Sequence, residues 1–373
     1  MANINILDTV ILSSYGDLDE TLRAIKDENI KTSKIEIDTL DGVMSIPYFL
    51  FEDKIKEDTK SIYDAMKKII KQLTDKLSPL QKKETALIIG TSQIDLNIIN
   101  SIKATIYEQK EYKSQKLSID TYAKDISKNL GLNGYTMTIA TACTSSANAI
   151  LEAKNLIQND VFKYVVVLGI EIFSTIMSNG FSSMKLLSCS TQKPFDKNRD
   201  GLVLGEALAG VLIGLDKSLW SLEGGYSNCN SLNITSASEN GDDFREVIEI
   251  ALESLNLKPN DITALKTHST STLANDLAEI NAISKVFCKD IVFTALKPYF
   301  GHTLGACGLL ELVVFMAAID DGFIPKTINS KEYIMNHYKP LSEDLKCKSG
   351  LFMLNYFGFG GNNVSLIIKK KTL

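Results

Sequence analysis

Histidine and tryptophan are scarce in this 373-residue sequence: three His and a single Trp. The six cysteines (143, 189, 229, 288, 307 and 347) are scattered, with no CxxC pair. That spacing excludes a paired-cysteine zinc site and the disulfide scaffold of a small secreted domain, and it predicts a reducing, cytoplasmic setting. Long hydrophobic runs are also missing. The longest, Leu309–Ile319, is too short to span a bilayer and contains Glu311. The opening Met-Ala-Asn-Ile-Asn-Ile-Leu-Asp has no basic segment followed by an apolar one, so no signal peptide is expected. Positive charge is not in excess either. Forty Lys and Arg against 45 Asp and Glu give a net charge of −5 and a pI near 5.5, which argues against a dedicated nucleic-acid binder. No low-complexity linker divides the chain.

What remains is an ordinary globular composition, 45% hydrophobic and 23% charged, long enough for two domains or one duplicated unit. Strands are expected over Asn5–Ser13, Thr85–Thr91, Tyr164–Ile170 and Leu204–Leu215, and helices over Glu20–Asn29 and Ser61–Leu77. The second of these helices carries Ile62, Met66, Ile69, Ile70, Leu73 and Leu77 at helical spacing. Lys34–Tyr48 reads as irregular or hairpin-like, and Ser118–Leu130 as a capped helix. The apolar strands separated by helices predict βαβ units and a largely parallel sheet. Asp216–Glu223 is the expected boundary. Beyond it the rhythm repeats: helix Asp243–Leu255, strand Ile262–His268, helix Ala274–Phe287, strand Ile291–Ala295 and helix Leu304–Ile319. A final strand pair is expected over Leu351–Asn355 and Val364–Lys369.

The most informative stretch is Tyr135–Ile150. A β-branched run ends at Cys143 and a helical pattern starts directly after it, with Ser145 or Ser146 expected as its cap. A thiol at the positive end of a helix is expected to favour the thiolate, which makes Cys143 a candidate nucleophile; a buried, inert cysteine is the alternative reading. Two of the three histidines, His268 and His302, also sit at strand ends beside turn residues. In parallel α/β sheets ligand sites gather beyond the carboxyl ends of strands, where Cys143, His268 and His302 all fall.

Five blocks then carry a resemblance. They are Thr141–Ser146, Pro194–Gly201 followed by Leu204-Gly-Glu206, His268–Thr272, Lys297–Gly308 and Asn355–Asn362. In this order they resemble the β-ketoacyl-acyl-carrier-protein synthases of the thiolase superfamily, in particular the elongating Cys-His-His type. The resemblance implies a thiolase-like α/β fold, two similar βαβ halves forming a layered α-β-α-β-α core. Residues 1–216 would carry the nucleophile and 217–373 the two histidines.

It also implies the chemistry. Cys143 matches the cysteine that accepts an acyl group as a thioester. His268 and His302 match the pair whose Nε2–H groups stabilise the enolate formed when malonyl-acyl carrier protein loses carbon dioxide. Lys297 matches the lysine that sets the electrostatics, and Glu311 the acid in its network. Thr270 and Thr272 match the hydroxyls that bind phosphopantetheine. Phe359 matches the gatekeeping phenylalanine whose N–H joins that of Cys143 in an oxyanion hole, with Gly358, Gly360 and Gly361 easing the movement of its loop. Asn362 and Asn363 read as turn residues. Neither a metal nor a resident cofactor is implied, because the substrates ride on the phosphopantetheine of acyl carrier protein.

The implied assembly is a homodimer, with a heterodimer with a related subunit as the other arrangement. In that second arrangement the chain would be a partner subunit that measures chain length, a role in which the family normally lacks the cysteine. A glycine-rich loop without a second cysteine separates the chain from degradative thiolases. Three positions depart from the common pattern: Ser269 and Ala207 stand where glycine is common, and Pro298 where serine is usual. Lys67, Lys68, Lys71, Lys193 and Lys197 are candidate contacts for an acidic carrier.

Overall fold

Two sets of five strands share one order, and that repetition places the site. The structure, a computed structural model, describes residues 3–39, 42–51, 59–93, 119–230 and 238–372. The first set runs β1 (Asn5–Leu12), α1 (Leu18–Lys26), α2 (Thr59–Thr74), β2 (Thr85–Gly90), α3 (Ile119–Leu130), β3 (Thr136–Ile139), α4 (Ser145–Gln158), β4 (Tyr164–Glu171), α5 (Thr175–Ser183) and β5 (Ala207–Gly214). The second runs β6 (Trp220–Cys229), α6 (Asp242–Glu253), β7 (Ala264–Lys266), α7 (Leu273–Val286), β8 (Phe293–Thr294), α8 (Cys307–Asp320), β9 (Gly350–Phe357) and β10 (Asn362–Lys370).

Spatially the first sheet is ordered β3-β2-β4-β5-β1 and the second β8-β7-β9-β10-β6, the same permutation shifted by five strands. The two sheets meet edge to edge, with Asn5 opposite Ser221. Among these described strands, each sheet has two parallel and two antiparallel pairings. This corrects the expectation of a largely parallel sheet. Strands β4 and β5 are buried at every position because helices cover both their faces, whatever their direction.

Five layers result. Helices α2 and α3 cover the outer face of the first sheet, and α6 and α7 that of the second. Between the sheets lie α4 and α8, in the largest apolar cluster. Helix α8 is apolar on nearly all sides, as a helix at the centre of a protein must be. The two central helices approach closely at Gly308, where an added Cβ would lie 2.5 Å from the backbone nitrogen of Ala147. Only glycine fits there.

Most expected elements are present, with ends moved by a few residues. The hairpin-like stretch is a hairpin of Ser33–Thr39 and Gly42–Phe49, lying against Leu204–Gly205. Ser118, the expected cap of α3, lies outside the described residues. Strand β6 and helix α5 escape the sequence reading. The adjacent Gly224 and Gly225 disguise β6, and the Ser, Asn and Gly content of α5 hides a helix.

Candidate active site

Strand β3 ends at Ile139, and the chain then makes a turn of 3-10 helix, Ala142–Thr144, before α4 begins. Ala142 holds φ +51, a conformation costly for a residue with a side chain. The turn is fixed from several sides. The Thr141 N–H donates to Ser145 Oγ (2.9 Å), Ser145 Oγ donates to the Ala142 carbonyl (2.6 Å), and Thr144 Oγ1 donates to the Thr141 carbonyl (2.7 Å). The Cys307 thiol donates to the carbonyl of Cys143 itself (3.0 Å). The expected serine cap is absent. Ser145 serves the turn, Ser146 Oγ accepts the N–H of Leu309, and α4 starts from Thr144 without a side-chain cap. The matching turn of the second half, Leu304–Ala306 before α8, also contains a strained residue, Leu304 at φ +41.

That second turn brings His302 to Cys143. The backbone of His302 is tied to the stretch after Leu202, donating to the Val203 carbonyl (2.7 Å) and accepting from Gly205 N–H (3.1 Å). Its Nε2 lies 3.1 Å from Cys143 Sγ. His268, beyond β7, has its own N–H and that of Ser269 clamped by the Glu279 carboxylate, both at 2.7 Å. Ser269 sits at φ +45, which explains why glycine is common there and why a clamp is needed here. Pro298 is accommodated in the first turn of the short helix Lys297–Phe300, where a missing N–H costs nothing.

Lys297 Nζ is 3.3 Å from His268 Nδ1 and 2.5 Å from Glu311 Oε1. Since an ammonium can only donate, His268 Nδ1 accepts and its proton is on Nε2. That Nε2 has no hydrogen-bond partner among the described residues. The two imidazoles stand edge to face, 5.2 Å between centroids at 85°. Cys143 Sγ and one ring nitrogen of each histidine all lie within 4.8 Å of one another. Such a trio could clasp a soft cation, but the buried ammonium groups behind it oppose a further positive charge.

Burial pushes the Cys143 thiol up to about 11, against the pull of Lys297 and of the Phe359 N–H. The helix end therefore does not yield a resting thiolate, and that expectation is corrected: desolvation outweighs it. Burial, reinforced by Lys297, also drives His268 and His302 well below the ordinary range. At neutral pH the site holds a thiol and two uncharged imidazoles, with the positive charge behind them. Glu171, whose Oε2 accepts the N–H groups of Ser92 (3.1 Å) and Gly305 (2.9 Å), is raised to about 7 by burial.

A cavity of about 520 Å³ opens onto Cys143, His268 and His302. Thr270 and Thr272 line it with their hydroxyls 2.9 Å apart. Phe359 lines it too, stacked on Phe181 of α5 with centroids 5.6 Å apart. Gly360 is not in the wall; at φ +79 it makes the turn that presents Phe359. The Pro194–Gly201 block puts Asp200 and Gly201 in the cavity wall and supports the site with the rest. Phe195 N–H donates to Asp276 (2.8 Å), and Arg199 donates to the carbonyls of Thr272 (3.2 Å) and Leu273 (2.7 Å), holding the threonine loop.

The structure therefore brings Cys143, His268, His302, Lys297, Glu311, Thr270, Thr272, Phe359 and Gly360 into one neighbourhood, leaves the five candidate lysines out of the cavity wall, and adds others. Phe181, Glu279 and Lys266, whose buried Nζ contacts Glu311 Oε2, carry no sequence signal. Asn363, read as a turn residue, instead faces the cavity: its amide donates to Asn228 Oδ1 and the Gly361 carbonyl, each at 3.1 Å, while its Oδ1 has no hydrogen-bond partner among the described residues.

Comparison with known proteins agrees. Residues 63–217 match the family model for the beta-ketoacyl synthase N-terminal domain, and residues 221–331 that for the C-terminal domain. The 3-oxoacyl-[acyl-carrier-protein] synthase I, chloroplastic, of Arabidopsis thaliana is 30% identical over 319 residues, covering 78% of this chain and 66% of the relative. The 3-oxoacyl-[acyl-carrier-protein] synthase 2 of Synechocystis sp. is 29% identical over 326 residues, 79% of this chain and 77% of that one. Among solved structures, a chain of the Xenorhabdus doucetiae complex of a ketosynthase with its chain length factor superposes with a TM-score of 0.87 at 22% identity, covering 99% of this chain and 98% of that one. A beta-ketoacyl synthase from Burkholderia phymatum gives 0.85 at 22% identity, with both chains covered in full.

Proposed function

The chain belongs to the β-ketoacyl synthase family, and from that premise we propose that it is a decarboxylating condensing enzyme acting on carrier-bound acyl groups. The observation that carries this reading is the 3.1 Å approach of His302 Nε2 to Cys143 Sγ at the head of a cavity that His268 also faces. In the first half-reaction Cys143 Sγ, facing His302 Nε2–H, attacks an acyl thioester as the thiol proton moves to the departing carrier sulfur. The tetrahedral oxyanion takes the N–H groups of Cys143 and Phe359, and the carrier thiol leaves with the proton.

In the second half-reaction the thioester carbonyl of malonyl-acyl carrier protein accepts the Nε2–H groups of His268 and His302. The bond to the carboxylate breaks, carbon dioxide departs, and the electron pair forms an enolate held by those donors. The enolate carbon then attacks the Cys143 thioester. A carbon–carbon bond forms, the carbon–sulfur bond breaks to release the Cys143 sulfur, which takes a proton from water to restore the thiol, and a β-ketoacyl thioester leaves on the carrier. Lys297 polarises His268 through Nδ1, and Glu311 orients Lys297. Thr270 and Thr272 receive the amides of the phosphopantetheine arm, which belongs to the substrate. Phe359 admits or excludes the acyl chain, with Gly360 as its hinge.

The partner in this reading is acyl carrier protein. The five candidate lysines do not share one element: Lys67, Lys68 and Lys71 lie on α2, while Lys193 and Lys197 flank the loop carrying Phe195. A homodimer is the proposed assembly, paired through the first sheet, whose outermost strand β3 is half-buried at every position. The second reading, a chain-length subunit of a heterodimer, would leave the assembled Cys143, His268 and His302 without a purpose. No helix among the described residues is long and apolar enough to cross a membrane. Incubation with hexanoyl- and malonyl-acyl carrier protein tests the proposal. A β-ketoacyl product on the carrier is expected, and binding of both without any product would favour the subunit reading.

A further inference from the structure

Two lysines converge on one carboxylate. Lys266, the last residue of β7, is fully buried, with Nζ 2.5 Å from Glu311 Oε2 and 2.9 Å from the Asn355 carbonyl. The same ammonium stands 3.6 Å from the centroid of the Tyr356 ring. Lys297 takes the other oxygen of Glu311, also at 2.5 Å, and reaches on to His268 Nδ1. Lys297 and Glu311 alone would be neutral as a pair. With Lys266 protonated, Lys266, Lys297 and Glu311 together carry one net positive charge wholly out of water, and the further acid facing Lys266, Glu279, is raised to about 7 by its own burial. Burying an unbalanced charge is costly, and a merely structural position would be filled more stably by an apolar side chain.

We propose that Lys266 is a positioning residue for the decarboxylation half-reaction: through Glu311 it holds Lys297 against His268 and supplies the excess positive charge that favours the enolate. This rests on the condensing reading above. Lys266 does not line the cavity, so it acts only through its neighbours. During decarboxylation, negative charge moves from the malonyl carboxylate to the thioester oxygen facing His268 Nε2–H. A fixed positive charge behind that imidazole stabilises the second arrangement, and it also keeps both imidazoles neutral donors. Acylation of Cys143 places its oxyanion against backbone N–H groups instead, so the two half-reactions should respond differently.

The groups facing Lys266 are Glu311 and Cys307 on α8, Lys297, and Glu279 on α7. The Tyr356 phenol of β9 and the two uncharged histidines complete its surroundings. Burial lowers its ammonium to about 8, Glu311 opposing and Lys297 adding to the shift. For Lys297, burial also acts downward, but the Glu311 carboxylate outweighs it and holds that ammonium above its ordinary range. As pH rises, Lys266 is therefore the first of the two to lose its proton, and the extra charge goes with it.

The test compares wild type with Lys266→Met, measuring carbon dioxide release from malonyl-acyl carrier protein and malonyl-N-acetylcysteamine across pH 6.5–9.5, a span of roughly a unit and a half either side of that value. Hexanoylation of Cys143 is measured in parallel. In wild type, decarboxylation should fall as pH rises through about 8. The variant should lose about tenfold in kcat with little change in KM, lack that limb, and still accept the hexanoyl group. Equal decarboxylation by both proteins, or a limb unchanged in the variant, overturns the role of Lys266 alone. If Lys266→Met does not fold, the wild-type profile decides: a rate unchanged through pH 8 overturns the proposal. A wild type that neither decarboxylates nor acylates removes the condensing reading, and this inference with it.

Discussion

Cys143 Sγ and His302 Nε2 stand 3.1 Å apart, both buried, and the charge states set by that burial make them a neutral thiol–imidazole pair. The nucleophile is therefore produced when substrate arrives rather than stored as a thiolate. With the thiol pushed up to about 11, the alkylation rate of Cys143 by iodoacetamide should climb steadily from pH 7 to pH 10. Peptide mass spectrometry of quenched samples measures it. A plateau at neutral pH would mean that the helix end and Lys297 prevail over desolvation.

His268 offers its Nε2–H where enolate charge develops, and nothing among the described residues occupies that donor. His268→Ala should lower malonyl decarboxylation by about 10²–10³-fold, the range for loss of one oxyanion donor, while leaving acyl transfer to Cys143 largely intact. Separate half-reaction assays measure the split. Equal losses in both would place His268 in a shared structural role.

Glu171 holds the Ser92 and Gly305 backbone from a fully buried site and is raised to about 7 by burial. A carboxyl raised in the folded state binds its proton there more tightly than in the unfolded chain. Its stabilisation is complete below the unfolded value and is lost as pH rises through about 7. Between pH 4.5 and 8, wild type should lose up to about 3 kcal/mol relative to Glu171→Gln. Urea unfolding at the two ends of that interval measures it, and parallel pH dependences would contradict the assignment.

Gly308 lets α8 lie against the first turn of α4. Gly308→Val would force its Cβ into the Ala147 backbone and Ser146 Oγ. A cost of about 1–3 kcal/mol is expected from overpacking, with loss of Cys143 acylation as the turn is displaced. Denaturant midpoints and acylation rates on the same sample test both.

Much of this site is legible in the sequence because its side chains sit in short, turn-rich blocks. Cys143 and His268 stand just beyond strands and His302 just before the turn that opens α8, so a local pattern finds them. Lys266 escapes because it ends a three-residue strand and meets Glu311 only across 45 residues of chain. Glu279 escapes because it lies inside a regular helix, where a glutamate signals nothing. Strand direction is hidden because burial on both faces produces the same apolar run whether neighbours are parallel or antiparallel. The duplicated strand order appears in the sequence only as a rhythm, since register depends on backbone pairing rather than composition.

The most direct test of the condensing mechanism is intact-protein and peptide mass spectrometry after incubation with hexanoyl-acyl carrier protein. A single hexanoyl adduct on the peptide containing Cys143 is expected, absent from Cys143→Ala and discharged when malonyl-acyl carrier protein is added. Equal acylation of Cys143→Ala, or an adduct on Cys307 instead, would contradict the assignment of Cys143 as the acyl acceptor.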